Sequence, residues 1–445
     1  MRTPKTRRRA NRSVLVPFAV AALAGYSGCA GTPADESKPA ALLEDARRFE
    51  TERAYRRAAL TQSLVEPENG YSRLRLARYA LDDAGTPVQW DALAEHNPAV
   101  RPVTVDDLGR FDADPLRPSQ GGEGALAPVF ADSRPVSSEA DLVELGRRAF
   151  ELWPAQLEPA ISKAVDSAAS AARYGAWTDA RGHVGGFVRV ALADGTERFA
   201  LACASCHARP GADGRLIAGA TNADFDLGAL KHAAGALTPE PSFEELARWG
   251  PGRVDVTNDG SFNPAAIPDL RPLRLQSYLQ LTASVRNGLL PLAVRIETLL
   301  ITSAGEVVRP PRRVAFALAV YLRSLSDAAT TSPDPATPGS GVFAANCAAC
   351  HRADGTASEP VALEVIGTDP GVGLSDRWTG FYRIPSLWGV ATRPRLLHDA
   401  SVGSLEELLD PRRLESLPGH EAGTSLGAEE KKALLVYVRA IGKGD

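Results

Sequence analysis

Gly339-Ser340-Gly341-Val342-Phe343-Ala344-Ala345-Asn346-Cys347-Ala348-Ala349-Cys350-His351 ends in a Cys-x-x-Cys-His motif. A second copy of the motif stands at Cys203-Ala204-Ser205-Cys206-His207. The two copies use four of the five cysteines in the chain. Two thiols about one helical turn apart can each add to a vinyl group on one edge of a haem. The histidine that follows then reaches the iron. A zinc site would need the two distant pairs to act together, and a redox Cys-x-x-Cys leaves both histidines without a role. The expectation is two covalently bound haem c groups. Cys203, Cys206 and His207 hold one; Cys347, Cys350 and His351 hold the other, with His207 and His351 as proximal iron ligands.

The sequence around the motifs also repeats. Gly339 and Phe343 precede the second motif in a GxxxF form, and Gly146 and Phe150 precede the first in the same form. Downstream, Ile267-Pro268-Asp269-Leu270 matches Ile384-Pro385-Ser386-Leu387. Both copies close on a helical pattern, residues 317–325 and 433–441, with apolar residues at helical spacing. These features predict a mainly α fold with two tandem cytochrome c-like haem domains, residues 141–327 and 339–445. A Pro/Thr/Ser linker, 328–338, joins them, and a helical and irregular region, 29–140, precedes them.

The N-terminus reads as an export signal. Residues 1–12 carry six cations and no acid, and a short apolar run follows. The signal spans residues 1–28. Tyr26-Ser27-Gly28-Cys29 resembles a lipobox, which makes Cys29 the expected lipidation site and membrane anchor. Covalent haem attachment takes place outside the cytoplasm, so both features predict a periplasmic or cell-envelope location. The formal net charge is −4, and no basic cluster outside the signal region would neutralise phosphates, so no nucleic-acid partner is expected.

The stretch Ile384 to Val390, then Leu397-His398-Asp399-Ala400-Ser401 and Ser404-Leu405-Glu406-Glu407, resembles the di-haem cytochrome c peroxidase superfamily, including its rubber-oxygenase-like branch. The likeness covers roughly residues 141–445. It implies two helical haem domains facing each other, with electrons passing between the haems. In the first unit the sequence departs from the family. The segment Ala283 to Gly288 lacks the tryptophan expected between the haems, and Glu297 is the acid nearest to the family's distal glutamate.

The only methionine is Met1, so neither iron of the mature chain can take a Met ligand. The resemblance places His420 where the family carries a Met ligand, making it the candidate distal ligand of the second haem; His398 is its rival. For the first haem the candidates are His232, 25 residues after His207 on a helical pattern, and His183 in a Gly-rich segment. Arg253, Arg393 and Arg395 are candidate partners for haem propionates, and Trp249 a candidate neighbour of both haems. Two functions stay open. One is electron transfer to a redox partner protein. The other is a di-haem peroxidase or oxygenase whose C-terminal haem feeds a reactive N-terminal haem.

Overall fold

Small residues at helix crossings set the architecture. The computed structural model describes residues 39–79, 89–109, 126–130, 135–191, 197–235, 243–256, 263–325, 332–356 and 358–442. The signal, residues 1–28, and Cys29 lie outside the described residues. The helices among the described residues begin with α1 (Pro39–Thr51), α2 (Arg53–Ser63), α3 (Gly70–Arg78), α4 (Glu139–Leu152) and α5 (Ala168–Arg173). They continue with α6 (Cys203–His207), α7 (Leu227–Ala234), α8 (Phe243–Leu246), α9 (Leu289–Ser303) and α10 (Arg312–Ser324). The C-terminal part adds α11 (Ser340–Asn346), α12 (Leu363–Ile366), α13 (Leu405–Leu408) and α14 (Ala428–Ala440). None of these helices is long and apolar enough to cross a membrane.

The internal repeat becomes a repeated packing. A Cβ on Gly146 would lie 2.1 Å from the Ala317 carbonyl oxygen, so α4 and α10 cross at backbone contact. One turn on, Phe150 meets Tyr321 with ring centres 5.5 Å apart. In the second copy a Cβ on Gly339 would lie 2.1 Å from the Ala433 carbonyl oxygen. Phe343 there meets Tyr437 at 5.2 Å. Both crossings pair a glycine with an alanine carbonyl, and four residues further along each helix they pair a Phe with a Tyr. The N-terminal helices pack onto the first crossing: Phe49 of α1 lies 5.7 Å from Phe316, and Arg313 of α10 pairs with Glu50 at 2.7 Å. Leu42, Phe49, Leu60 and Leu64 belong to the same buried cluster as Phe150 and Tyr321.

The expectation of a mainly α fold is corrected. The described chain is mixed, with a five-stranded antiparallel sheet in the order β2-β1-β4-β5-β3. Its strands are β1 (Ala99–Thr104), β2 (Ala127–Pro128), β3 (Gln156–Leu157), β4 (His183–Ala191) and β5 (Glu197–Leu201). The physical reason lies in residues 183–201. Val184, Phe187, Val188, Val190, Phe199 and Leu201 are β-branched or aromatic or large, residue types that favour strands. Pairing sets Phe187 opposite Leu201 and Val188 opposite Ala200, and all four side chains are buried. The buried guanidiniums of Arg101 and Arg189 stand opposite each other on β1 and β4. Asp107 accepts a bidentate pair of hydrogen bonds from Arg101, and Glu197 pairs with Arg189. Three short two-stranded ribbons complete the sheets: β6 (Ala208–Pro210) with β7 (Leu216–Ala218), β8 (Arg253–Val254) with β9 (Ala265–Ala266), and β10 (Val361–Ala362) with β11 (Phe381–Tyr382).

Residues Lys38–Asp445 form one compact unit. Hydrogen bonds tie the two motif-bearing segments together inside it. Ala266 N–H donates to the His398 carbonyl at 2.8 Å, and Arg383 N–H to the Leu281 carbonyl at 2.7 Å. The N-terminal region joins the same seam, with Tyr71 N–H donating to the Asp376 carbonyl at 2.9 Å.

Gly146→Ala forces a methyl into the α10 backbone. Overpacking of this kind costs about 1–3 kcal/mol. The expected outcome is a lower urea midpoint at an unchanged slope, measured by far-UV circular dichroism.

Candidate functional site

The sheet delivers the first motif. β5 ends at Leu201, and α6, which is the Cys-x-x-Cys-His segment itself, begins two residues later. Gly186 of β4 lets the turn come this close. Its φ is +64°, and a Cβ there would lie 2.5 Å from the Ser205 nitrogen. The Gly186 carbonyl accepts from Ser205 Oγ and Ala202 N, both at 3.0 Å. Trp177 Nε1 donates to the Ala204 carbonyl at 3.3 Å, and Asn222 Nδ2 to the Ser205 carbonyl at 3.0 Å. The backbone polar groups of this turn are therefore held by the protein.

His207 Nδ1 lies 3.0 Å from the Pro268 carbonyl oxygen. A carbonyl can only accept, so Nδ1 carries the proton and Nε2 keeps its lone pair. Burial, chiefly, pushes the His207 imidazole down to about 4. The ring is thus a neutral base with one nitrogen free to ligate. Burial pushes the Cys203 thiol up to about 11 and the Cys206 thiol up to about 12. Cys203, Cys206, Cys347 and Cys350 are all free of disulfides.

The second motif follows the same plan on a helix end. α11 runs into it through Cys347 N–H to the Phe343 carbonyl at 2.8 Å, and His351 N–H closes the turn on the Cys347 carbonyl at 2.9 Å. The Pro385 carbonyl, at the matching place in the repeat, is the backbone acceptor that faces His351. Burial again pushes the imidazole down to about 4. A cavity of about 350 Å³ beside it is lined by Phe343, His351, Asp354 and Tyr437 among others.

The tertiary structure brings His420 to this motif. The rings of His351 and His420 are 6.3 Å apart between centres, with planes at 50°. A ligating nitrogen sits about 2 Å from its metal and about 1 Å from the ring centre, so two imidazoles on opposite faces of one metal have centres about 6 Å apart. The observed spacing would let the two rings hold one metal ion between them. His420 Nδ1 is buried and makes no hydrogen bond, and burial lowers the imidazole below the ordinary histidine range.

The loop that carries His420 is braced at a backbone cost. His420 has φ +46°, in the left-handed region, and follows Gly419 at φ +86°. A Cβ on Gly419 would lie 2.3 Å from the Gly367 carbonyl carbon. Arg413 donates to the carbonyls of Leu408, Leu417, Gly419 and His420 at 2.9, 3.0, 3.0 and 2.6 Å. His420 N–H donates to the Ile366 carbonyl at 2.8 Å. Nothing in the sequence around Arg413 marks it, because its partners are all backbone carbonyls.

The remaining candidates are placed elsewhere. His232 is exposed, on the side of α7 away from buried Leu227, Leu230 and Ala234. His183 Nδ1 faces Asp179 at 3.3 Å at the start of β4. His398 stacks on Tyr382 with ring centres 4.6 Å apart and is not brought to His351. Trp249 is buried against Gly228 in the turn after α8. Glu297 is fully buried, accepting from Tyr79 Oη at 2.5 Å and from Arg312 Nε at 3.1 Å. The segment Ala283–Gly288, which the resemblance sets between the haems, lies at the seam and includes the buried residues Ala283, Ser284 and Val285. Among the described residues, no group of three or more His, Cys, Asp or Glu side chains is arranged to hold a metal ion on its own.

No protein-family model, curated protein or solved structure matches the chain.

Two outcomes follow from this geometry. Arg413→Ala removes four hydrogen bonds from a charged donor, and its cost is roughly 3 kcal/mol; hydrogen exchange at residues 417–421 is expected to speed up while exchange in α14 is little changed. Burial lowers the His398 imidazole, so as pH falls through about 6.5 the unfolded chain binds a proton that the folded chain refuses. Stability therefore falls from pH 7.5 to 5.5, and His398→Asn is expected to flatten that fall in urea midpoints.

Proposed function

We propose that the chain is an exported di-haem c-type cytochrome that transfers electrons through two covalently bound haems. One observation carries the reading: both Cys-x-x-Cys-His imidazoles are half-buried, neutral and turned toward the carbonyl of the same repeated proline, Pro268 and Pro385. A ligand held this way has its tautomer and ring angle set before the metal arrives. The residues fit haem c: two spaced thiols, an oriented imidazole, and at the second motif His420 at axial spacing. Haem c supplies a one-electron iron couple when bound. With no Met available beyond Met1, the second haem has two imidazoles and a lower potential than a His/Met haem. Export, lipidation at Cys29, a cell-envelope location and a redox partner protein belong to the same reading.

A second reading has its own observation. His420 comes ring to ring with His351, whereas His183 shares a pocket with Ala204 of the first motif while its Nδ1 faces Asp179. This asymmetry suits a di-haem peroxidase-like or oxygenase-like enzyme in which the first iron is open to a small molecule. Against it stands Glu297, whose carboxylate is already committed to Tyr79 and Arg312.

The test is direct. Pigment is expected to stay with the denatured chain on a gel, and a digest to show one added haem on each motif peptide; unmodified peptides at both motifs would sink the proposal. His420→Ala should convert the second haem from low-spin to high-spin in electron paramagnetic resonance, while His232→Ala and His398→Ala should not. Peroxide separates the two functions: a first haem whose spectrum it leaves unchanged is a relay, and one that reacts belongs to an enzyme.

A further inference from the structure

Most large buried cations in this protein have acids beside them. Arg56 pairs with Asp91 at 2.7 Å, Arg312 with Asp91 at 2.5 Å and with Glu297 at 3.1 Å, and Arg101 with Asp107. Arg413 is one exception, held by carbonyls alone. Five further arginines also lack an acid, Arg75 buried and Arg295, Arg377, Arg383 and Arg393 half-buried with buried Nε atoms, and they run from one motif to the other. Arg295 of α9 lies within electrostatic reach of Cys203 and His207, and also of Arg377, Arg75 and Arg383. Arg383 is in turn within reach of Arg393, and Arg393 of His351. Among the described residues none of the five forms an ion pair. The carboxylate nearest to Arg393 in effect, Asp269, is already held by Arg271 in a bidentate pair.

Their hydrogen bonds are equally telling. Arg295 and Arg377 make no side-chain hydrogen bond among the described residues, and the Nε atoms of Arg295, Arg377, Arg383 and Arg393 are buried and unpartnered. Arg75 stacks on Tyr71 at 3.4 Å and touches Thr298 Oγ1 at 3.3 Å. Arg383 reaches the Tyr278 carbonyl at 3.2 Å, and Arg393 the Trp388 carbonyl at 2.7 Å. Like charges gathered where water has little access repel one another, and a charge with a buried, unpartnered nitrogen is unfavourable. Burial accordingly pulls Arg383 down to about 10. An arrangement of this kind is stable when anions enter it, and a guanidinium presents a two-pronged fork to a carboxylate.

We infer that Arg75, Arg295, Arg377, Arg383 and Arg393 form one continuous receptor for the propionate carboxylates of both haems, so that the two haems turn their carboxylate edges toward the seam between the motifs. This rests on the di-haem reading above. Of the three arginines that sequence alone made candidates, it keeps Arg393. Arg253 instead donates to the Arg248 carbonyl at 3.5 Å, and Arg395 is exposed. The array has a functional consequence. Positive charge at the propionates favours the reduced, more negative form of each haem, and shared arginines couple the two potentials.

The experiment uses the full haem-loaded protein and the variants Arg295→Gln, Arg377→Gln and Arg383→Gln, with Arg295→Lys and Arg383→Lys as charge-keeping controls. Resonance Raman reads the propionate bending bands, and a spectroelectrochemical titration reads both midpoints. The Gln variants are expected to shift the propionate bands. They should also lower the reduced-to-oxidised ratio at fixed poise by about ten-fold, which for one electron is about 59 mV. The Lys variants should recover most of that ratio. Arg295→Gln and Arg377→Gln remove no protein hydrogen bond, so they keep the test open if Arg383→Gln folds poorly. Propionate bands that stay unmoved in Arg295→Gln and Arg377→Gln overturn the inference and leave the di-haem reading standing. Absence of covalent haem from the unaltered protein overturns both, and the digest described above tells the two failures apart.

Discussion

An imidazole that gives its Nδ1 proton to a fixed carbonyl has one nitrogen left, and its direction is then set by the backbone. In this protein that constraint is met by placing Pro268 beside His207 and Pro385 beside His351. Much of the surrounding architecture serves it. The proline must stand at a set height over the motif, so the strand or loop before it and the motif's own turn must both be rigid. In the first copy Gly186, Trp177 and Asn222 fasten the turn. In the second copy the turn is the continuation of α11, and Phe343 anchors that helix against Tyr437.

The two copies reach the same end by different routes. The glycine-to-carbonyl helix crossing with its Phe and Tyr partner is shared, because it is the most compact way to bring an entering and a closing helix together. Between helix and motif the first copy inserts strands β3, β4 and β5 of the sheet, and β5 ends where the motif begins. After its motif the second copy carries the ribbon and the loop that Arg413 braces around His420. One copy thus has a motif mounted on the sheet. The other has His420 beside its motif histidine, held in a left-handed backbone conformation.

Electrostatics join what the helices separate. Acids and bases in the N-terminal half are largely paired: Asp91 takes Arg56 and Arg312, and Glu297 takes Arg312 and the Tyr79 hydroxyl. At the seam the arginines outnumber the carboxylates that could answer them. There the buried Nε atoms of Arg295, Arg377, Arg383 and Arg393 find no partner among the described residues, an arrangement that an entering anion would relieve. The same seam carries the backbone bonds from Ala266 to His398 and from Arg383 to Leu281, so the two motifs keep one relative placement.

The chemistry of the motifs was legible in the linear chain, since two thiols and a histidine at fixed spacing need no tertiary information to be recognised. So was the repeat, whose glycine, proline and tyrosine marks come in the same order in both copies. The sheet was also written there, in the Val/Phe runs within residues 183–201, but the helical repeat on both sides drew the reading toward α. What could not be read locally is everything that depends on residues far apart in sequence meeting in space. The 6.3 Å spacing of His351 and His420, the carbonyls gathered by Arg413, and the arginine row from α9 to Arg393 have no signature in composition or period. Covalent attachment is a property of neighbours along the chain. Axial ligation and charge balance are properties of neighbours across it, and only packing decides those.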